Sequence, residues 1–346
     1  MTLTEMQDVV VELGMPRFTA SQLMDWIYRK HVPSFDAMTN LSKSYRERLA
    51  AYCEVGLIPP VEDLHSVDGT IKYLFRIREG QYVEAVYIPD HDRATLCVSS
   101  QVGCRMHCRF CMTGRQGFSA NLLAGEIINQ ILSIPQTETL TNIVLMGMGE
   151  PMDNLDNVLR SLSLLTDPKV MGWSPRRITV STVGVRNTLH RFLDECECHL
   201  AISLHASSPI CRSELMPAER MYSMEEIVEM LRQYDFSGQR RLSFEYILFN
   251  GVNDTLSDAR RLVRLLDGIQ CRVNLIRFHH IPDANLEGVD IERMTAFRDF
   301  LTQRGIFTTI RASRGEDVMA ACGMLSTQKM KGNNKGIQEL DKQNRC

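Results

Sequence analysis

The stretch TLCVSSQVGCRMHCRFCMTGRQGFSANLLAGEIINQILSI, residues 95–134, holds the two features from which the rest of the chain is read. It opens on a β-rich run, TLCVSSQ, and closes on a helical one, LLAGEIINQILSI, with apolar residues at helical spacing. Between them lies C-x3-C-x2-C, formed by Cys104, Cys108 and Cys111 with Arg105, His107 and Arg109 interleaved. Strand followed by helix is the βα unit. The pattern recurs downstream at NIVLMGMG, RITVSTVG, CHLAISLHA, RLSFEYILF and CRVNLIRFH, with helical runs such as LDNVLRSLSLLT, MEEIVEMLRQY and SDARRLVRLLDG after them. Six units and a last strand, FTTIRAS, predict a parallel sheet with helices outside, curled into a partial or complete β/α barrel. Ser223 and Glu226 have the spacing of a capping box at one of the helix starts.

Upstream the periodicity changes. Residues 1–58 read as a small helical domain, with Leu23, Trp26 and Ile27 on one stripe, and this part ends at Gly56 and the diproline Pro59-Pro60. Residues 59–94 alternate as strands joined by turns at Glu79-Gly80 and Pro89-Asp90 and are read as a linking β segment. The barrel core is assigned to 95–325. From 326 to 346 the tail is rich in Lys, Asn and Gln, without apolar periodicity, and is expected to be flexible.

Bulk properties narrow the classes. The 346 residues are 44% hydrophobic, and no apolar run reaches the length of a membrane span. The acidic N-terminus lacks the basic start and apolar core of a signal peptide, so a cytoplasmic protein is expected. A net charge of −3 exerts no overall pull on nucleic acid, although basic pairs occur at Arg176-Arg177, Arg240-Arg241 and Arg260-Arg261. Eleven cysteines are an odd number, far too sparse for a disulfide scaffold, and in a reducing compartment point to metal or to thiol chemistry.

The cysteine array follows the first barrel strand, at the end of the sheet where barrel active sites form. Three readings are open: buried small hydrophobes, a structural zinc site completed by His107 or a remote cysteine, and an iron–sulfur cluster on three thiolates with one iron left for a ligand. No second C-x2-C is present to complete a zinc knuckle. The loop LMGMGEP (Gly147, Gly149, Glu150, Pro151) follows the second strand, where glycines let backbone approach a ligand and Glu150 can accept from an ammonium. Together with the array, this pattern points to S-adenosylmethionine held by its amine and carboxylate on the open iron.

The ordered motifs RFTASQLMDWIY, FDAMTNLSK, VEAVYIP, TLCVSSQVGC, CRFCMTGRQGF, NIVLMGMGEP, VSTVGV, AISLHA and AACG resemble, across most of the chain, the RlmN/Cfr family of radical S-adenosylmethionine RNA adenine methyltransferases. The resemblance implies a partial (βα)6 radical-SAM barrel with a small N-terminal helical RNA-binding domain. It also implies a [4Fe-4S] cluster on Cys104, Cys108 and Cys111, and S-adenosylmethionine contacts at Gly149, Glu150, Ser181, Ser203, Leu204 and His205. The implied reaction is methylation of an adenine ring carbon, C2 in the RlmN branch and C8 in the Cfr branch. Its implied substrate is an adenosine of 23S rRNA, with a tRNA adenosine beside the anticodon as a second, and a reducing electron donor is needed.

An electron-poor ring carbon cannot displace a methyl from a sulfonium, whereas a thiolate can. The resemblance makes Cys322 of AACG the methyl carrier. Cys97 of TLCVSS would release the product, leaving a Cys97–Cys322 disulfide, and Glu84 of VEAVYIP would be the base. Taken singly, Cys97 reads as a core cysteine, Cys322 as a packed small residue and Glu84 as an exposed strand carboxylate. Cys196-x-Cys198 does not read as a metal site. The chain departs from the family at NLIRFHHIP, where Arg277 replaces a proline and His279 stands where an asparagine contacts the cofactor, and at QGFSANL, where Ala120 replaces an arginine. C2 chemistry by a monomer is the expectation.

Overall fold

The computed structural model describes residues 1–278, 281, 284–318, 323–327 and 329. Three helices, Leu3–Glu12, Thr19–Tyr28 and Lys43–Tyr52, form the N-terminal part. The first is closed by a capping box in which Thr2 and Glu5 exchange hydrogen bonds. Leu23 is fully buried, while Trp26 and Ile27 lie half-buried against the same core. This part is tied to the barrel by Glu5 on Arg160, by the Arg29 guanidinium on the carbonyls of Pro168 and Val170 (2.9 and 3.2 Å), and by a reciprocal amide pair between Ile58 and Asn129.

Twelve strands follow. These are β1 (Glu62–His65), β2 (Ile71–Arg78), β3 (Gln81–Asp90), β4 (Arg93–Cys97), β5 (Gln101–Gly103), β6 (Phe118–Asn121), β7 (Asn142–Leu145), β8 (Ile178–Thr182), β9 (His199–Ser203), β10 (Leu242–Ile247), β11 (Arg272–Ile276) and β12 (Phe307–Ile310). Ten of them make one sheet in the order β1-β2-β3-β4-β7-β8-β9-β10-β11-β12, and β5 pairs with β6 in a separate ribbon. From β4 to β12 every pairing is parallel, and each of the first six strands in that run leads to at least one helix before the next. This is a (βα)6 barrel with a seventh strand. Its strands are rich in buried Ile, Val and Leu, with polar residues such as Ser181, Ser203 and Glu245 toward their C-terminal ends.

Residues 62–90 form β1, β2 and β3, which extend the barrel sheet antiparallel from β4, so the sheet runs unbroken from Glu62 to Ile310. One expectation needs correction: the Ser223–Glu226 capping box does not form. Ser223 makes no side-chain cap bond, Glu226 turns outward to Arg186, and the Met224 N–H is accepted by the Glu219 carboxylate (3.0 and 3.2 Å).

Among the described residues no helix is long and apolar enough to cross a membrane.

Candidate active site

The C-terminal ends of β4 and β7–β11 surround a cavity of about 240 Å³. Its walls include Cys104, Cys108, Cys111, Gly147, Gly149, Glu150, Ser181, Ser203 and His205. Residues from five separate motifs therefore meet in one place.

The cysteine loop is wound tightly. The Cys104 N–H donates to the Gly117 carbonyl (3.0 Å), Cys111 N–H to Cys108 (3.1 Å) and Arg109 N–H to Leu215 (2.9 Å). Gly103 sits at φ +74°, and a Cβ there would lie 1.7 Å from the Gly117 carbonyl oxygen, so only glycine closes this ribbon. Cys104 and Cys108 are buried and Cys111 is partly exposed. Burial pushes the Cys104 thiol up to about 12, and burial together with the neighbouring Cys111 and Cys104 raises Cys108 well above the usual range. Three thiolates grouped in an apolar recess require positive charge among them, which iron supplies. The His107 Nδ1 lies against the Gly114 carbonyl (3.2 Å). In a polynuclear cluster each thiolate binds a different iron.

The glycines of LMGMGEP line the cavity and also make room for a neighbouring stretch of chain. A Cβ on Gly147 would meet the Val98 carbonyl at 2.7 Å, and one on Gly149, at φ +100°, would meet Gln101 at 2.5 Å. They let the loop after β7 cross over the chain after β4. Glu150 is buried, its carboxylate accepting from the Met152 and Val183 N–H groups (3.1 and 2.9 Å), and burial raises it to about 7. The side chain thereby stitches the loop after β7 to the loop after β8.

The Ser181 and Ser203 hydroxyls are 3.4 Å apart on adjacent strands. His205, at φ +51°, is buried and accepts from the Ile247 N–H at Nδ1 (3.1 Å). Burial, and secondarily the Arg212 charge, lowers it to about 3, so the ring is neutral and carries its proton on Nε2. Leu204 points into the core and is not one of the cavity walls.

Glu84 and Cys97 also stand off the cavity walls, buried on β3 and β4. Lys72 pairs with Val86, and Val86 with Cys97, in a row across β2, β3 and β4. Residues opposite one another share a face, and so do residues two apart. Lys72, Glu84 and Cys97 therefore project from the same side of the sheet. Glu84 is wholly buried rather than the exposed strand carboxylate its sequence context indicates. Its Oε2 lies 3.1 Å from Lys72 Nζ and accepts from Gly323 N–H at 3.0 Å, and its Oε1 accepts from Ser326 N–H at 2.7 Å. Cys322 and His279 lie outside the described residues. Of the two other departures, Arg277 faces Glu316 (3.8 Å) and Ala120 sits on β6 opposite Val102. Cys196 and Cys198 are buried before β9, where Cys198 N–H donates to the Cys196 sulfur (3.4 Å).

Several site residues carry no motif. Glu245, on β10, lines the cavity and accepts from Asn274 (2.7 Å) and Ser243 (3.0 Å), with Arg311 3.5 Å away. An acidic residue inside the buried run LSFEYI was its only signal. Arg212 is completely buried: its guanidinium donates to the carbonyls of Val183, Ser203, Leu204 and Tyr222 and pairs with Glu219, so one side chain ties together the loops after β8 and β9. Arg212→Met should strand Glu219 and four carbonyls, lowering stability by about 3–5 kcal/mol in urea unfolding. A loss below about 1 kcal/mol would show that the network is dispensable.

A parallel barrel carrying a three-cysteine loop at its strand ends is the architecture of radical SAM proteins, and the Radical SAM superfamily model matches residues 98–266. The model of the ribosomal RNA large subunit methyltransferase N-terminal domain matches residues 1–55. The chain is 61% identical to the probable dual-specificity RNA methyltransferase RlmN of Bacteroides fragilis, covering 97% of each chain. It is 63% identical to that of Phocaeicola vulgatus (95% and 94%). It also superposes on the crystal structure of a radical SAM methyltransferase from Sphaerobacter thermophilus with a TM-score of 0.89, at 42% identity over 93% and 97% of the two chains. This chain belongs to the RlmN family of radical SAM RNA methyltransferases, with a 4Fe-4S cluster and S-adenosylmethionine as its cofactors.

Proposed function

We propose that this enzyme methylates C2 of an adenosine in 23S rRNA, and of an adenosine in tRNA, through an S-methylated Cys322. The dual-specificity name of its relatives supports two RNA substrates, and C2 is the position that the resemblance implies for the RlmN branch. One observation carries the cysteine route. The residues directly following Cys322 are bound to Glu84, on the sheet face that also bears Cys97, and Gln116 of the helix after the cluster loop donates to the Gly323 carbonyl (2.7 Å). The base, the face bearing the resolving thiol and the residues that follow the carrier in sequence are thus near the helix after the cysteine loop.

When bound, the cluster supplies the electron that cleaves S-adenosylmethionine reductively. Cys104, Cys108 and Cys111 would hold it, with the backbone of Gly149–Glu150 and the polar groups of Ser181, Ser203 and His205 orienting the nucleoside. Cys322 would take a methyl group as a thiolate; that methyl would lose a hydrogen atom to the deoxyadenosyl fragment and bond to the ring carbon, and Glu84 would then remove the ring proton as the one surplus electron leaves the adduct for the cluster. Cys97 would attack the Cys322 sulfur, making an S–S bond as the carbon–sulfur bond breaks, its electron pair staying on the carbon, which takes up a proton. An external one-electron donor to the cluster and a thiol reductant for the disulfide are then required, both of which a reducing cytoplasm provides for the monomer proposed here.

The test is mass spectrometry of nuclease-digested rRNA and tRNA from strains with and without the gene. Loss of 2-methyladenosine on deletion is expected. Loss of 8-methyladenosine would overturn the position, and loss of neither would overturn the reaction.

A further inference from the structure

Lys72 has no place in the reaction above, yet it is as deeply buried as any side chain in the protein. A lysine is almost never fully buried unless its charge is matched. Here the match is Glu84, 3.1 Å from Nζ, and both side chains have no exposed surface. The carboxylate does more than neutralise the lysine. Its two oxygens receive the N–H groups of Gly323 and Ser326, at the start of the short helical turn 324–327.

The same five residues are gripped from the opposite side. Gln116 Nε2 donates to the Gly323 carbonyl (2.7 Å) and to the Ser326 hydroxyl (3.0 Å). Gly323, at φ +89°, approaches Thr113 so closely that a Cβ would lie 2.6 Å from its Oγ1. Ser326 Oγ meets the Met148 sulfur at 3.5 Å. Residues 323–327 are therefore wedged between the sheet face of β2–β3 and the helix that follows Cys111. On the sheet side, the hold consists of one ionised carboxylate whose orientation is set by one ammonium.

We propose that Lys72 is a positioning residue for methyl transfer: it fixes Glu84 so that the carboxylate seats residues 323–327, the segment that follows Cys322 in the sequence, and the seating is undone when Glu84 takes up the ring proton. This deepens the cysteine-route reading and rests on it for its second half. The chemistry is a single proton transfer. The ring C–H bond breaks, its electron pair stays on the ring, and an O–H bond forms on Glu84. A neutral carboxyl presents one oxygen as a donor and no longer attracts the ammonium, so one of the two backbone N–H groups loses its acceptor. Base catalysis and release of the carrier segment are then one event, occurring at the stage when Cys97 must reach the Cys322 sulfur.

The experiment uses the anaerobic holoenzyme. Hydrogen exchange of the Gly323 and Ser326 amides is measured without RNA in the wild type, Lys72→Met, Glu84→Gln and the neutral pair Lys72→Met/Glu84→Gln. The double variant avoids an unpaired buried charge and keeps the comparison valid if a single variant does not fold. Losing one of these charge-assisted bonds should speed exchange about tenfold or more. In parallel, the 5′-deoxyadenosine released per methyl transferred is measured for Lys72→Met. It should rise about tenfold, since cluster chemistry continues while the carrier is misplaced; a merely destabilised fold would lower both products together. Unchanged exchange in every variant, or an unchanged ratio in a folded Lys72→Met enzyme, would overturn the proposal. If wild-type enzyme forms no S-methylcysteine, the cysteine route itself fails, and the exchange data still decide whether Lys72 and Glu84 seat the segment.

Discussion

Cys322→Ala is expected to give a protein that binds its cluster fully, shows the wild-type iron and sulfide content, and methylates no RNA. The proposed cluster ligands Cys104, Cys108 and Cys111 lie in a loop held by Gly103, Gly114 and Gly117, and Cys322 is not among them in that proposal. On the proposed route Cys322 is the nucleophile for the sulfonium methyl. The ring carbon is electron-poor. Cys97, the nearest alternative thiol by position in the sheet, is buried on β4 between Val86 and Val144. Methylation should fall on the order of 10⁴-fold or below detection. Two measurements check this: iron and sulfide analysis of the anaerobic protein, and transfer of labelled methyl from S-adenosylmethionine to RNA. Retained transfer with a full cluster would remove Cys322 from the mechanism. Loss of the cluster as well would mean that Cys322 acts as a ligand.

What the sequence disclosed follows the range of each interaction. The cysteine loop was readable because all three ligands fall within eight residues, a spacing imposed by local geometry. The βα repeat was readable because short β-rich runs alternate with helical ones, and each such run forms a barrel strand. Glu84 shows where such reading stops. Its burial depends on Lys72 across one strand pair and on Gly323 and Ser326 more than 230 positions away, so its local sequence indicated an exposed carboxylate. Arg212 was invisible for the same reason, its acceptors being carbonyls, which leave no mark in sequence. The glycines after β7 were noticed as places of close backbone approach, and they line the cavity; that they also let the chain cross Val98 and Gln101 could not be read locally. The Ser223–Glu226 signature forms no box because Glu226 turns outward to Arg186, while Glu219, held by Arg212, accepts the first N–H of the helix. In each case a tertiary contact overrode or supplied what local pattern could not.

Cys97→Ala should trap the enzyme on its substrate. Once the carbon derived from the methyl group has joined the adenine ring, RNA and protein are connected through the Cys322 sulfur, and the chain can leave only if that carbon–sulfur bond breaks. In the wild type a second sulfur takes over the bond to Cys322, so breaking one bond is offset by making another. The register that sets Cys97 opposite Val86, on the face shared with Glu84, puts the thiol beside the point where residues 323–327 are bound. Alanine in its place removes the nucleophile and little volume, so cluster and fold should be unaffected. Incubation of Cys97→Ala carrying S-methylated Cys322 with substrate RNA, S-adenosylmethionine and reductant should yield a complex that survives denaturing electrophoresis and collapses on nuclease digestion. The remaining peptide should carry the mass of an adenosine linked through one carbon to Cys322. Multiple turnover should fall by about 10³-fold or more, with the first turnover stalled as adduct. The double variant Cys97→Ala/Cys322→Ala should form no such complex, since the linking sulfur is gone. Free methylated RNA released at the wild-type rate by Cys97→Ala would assign resolution to another group.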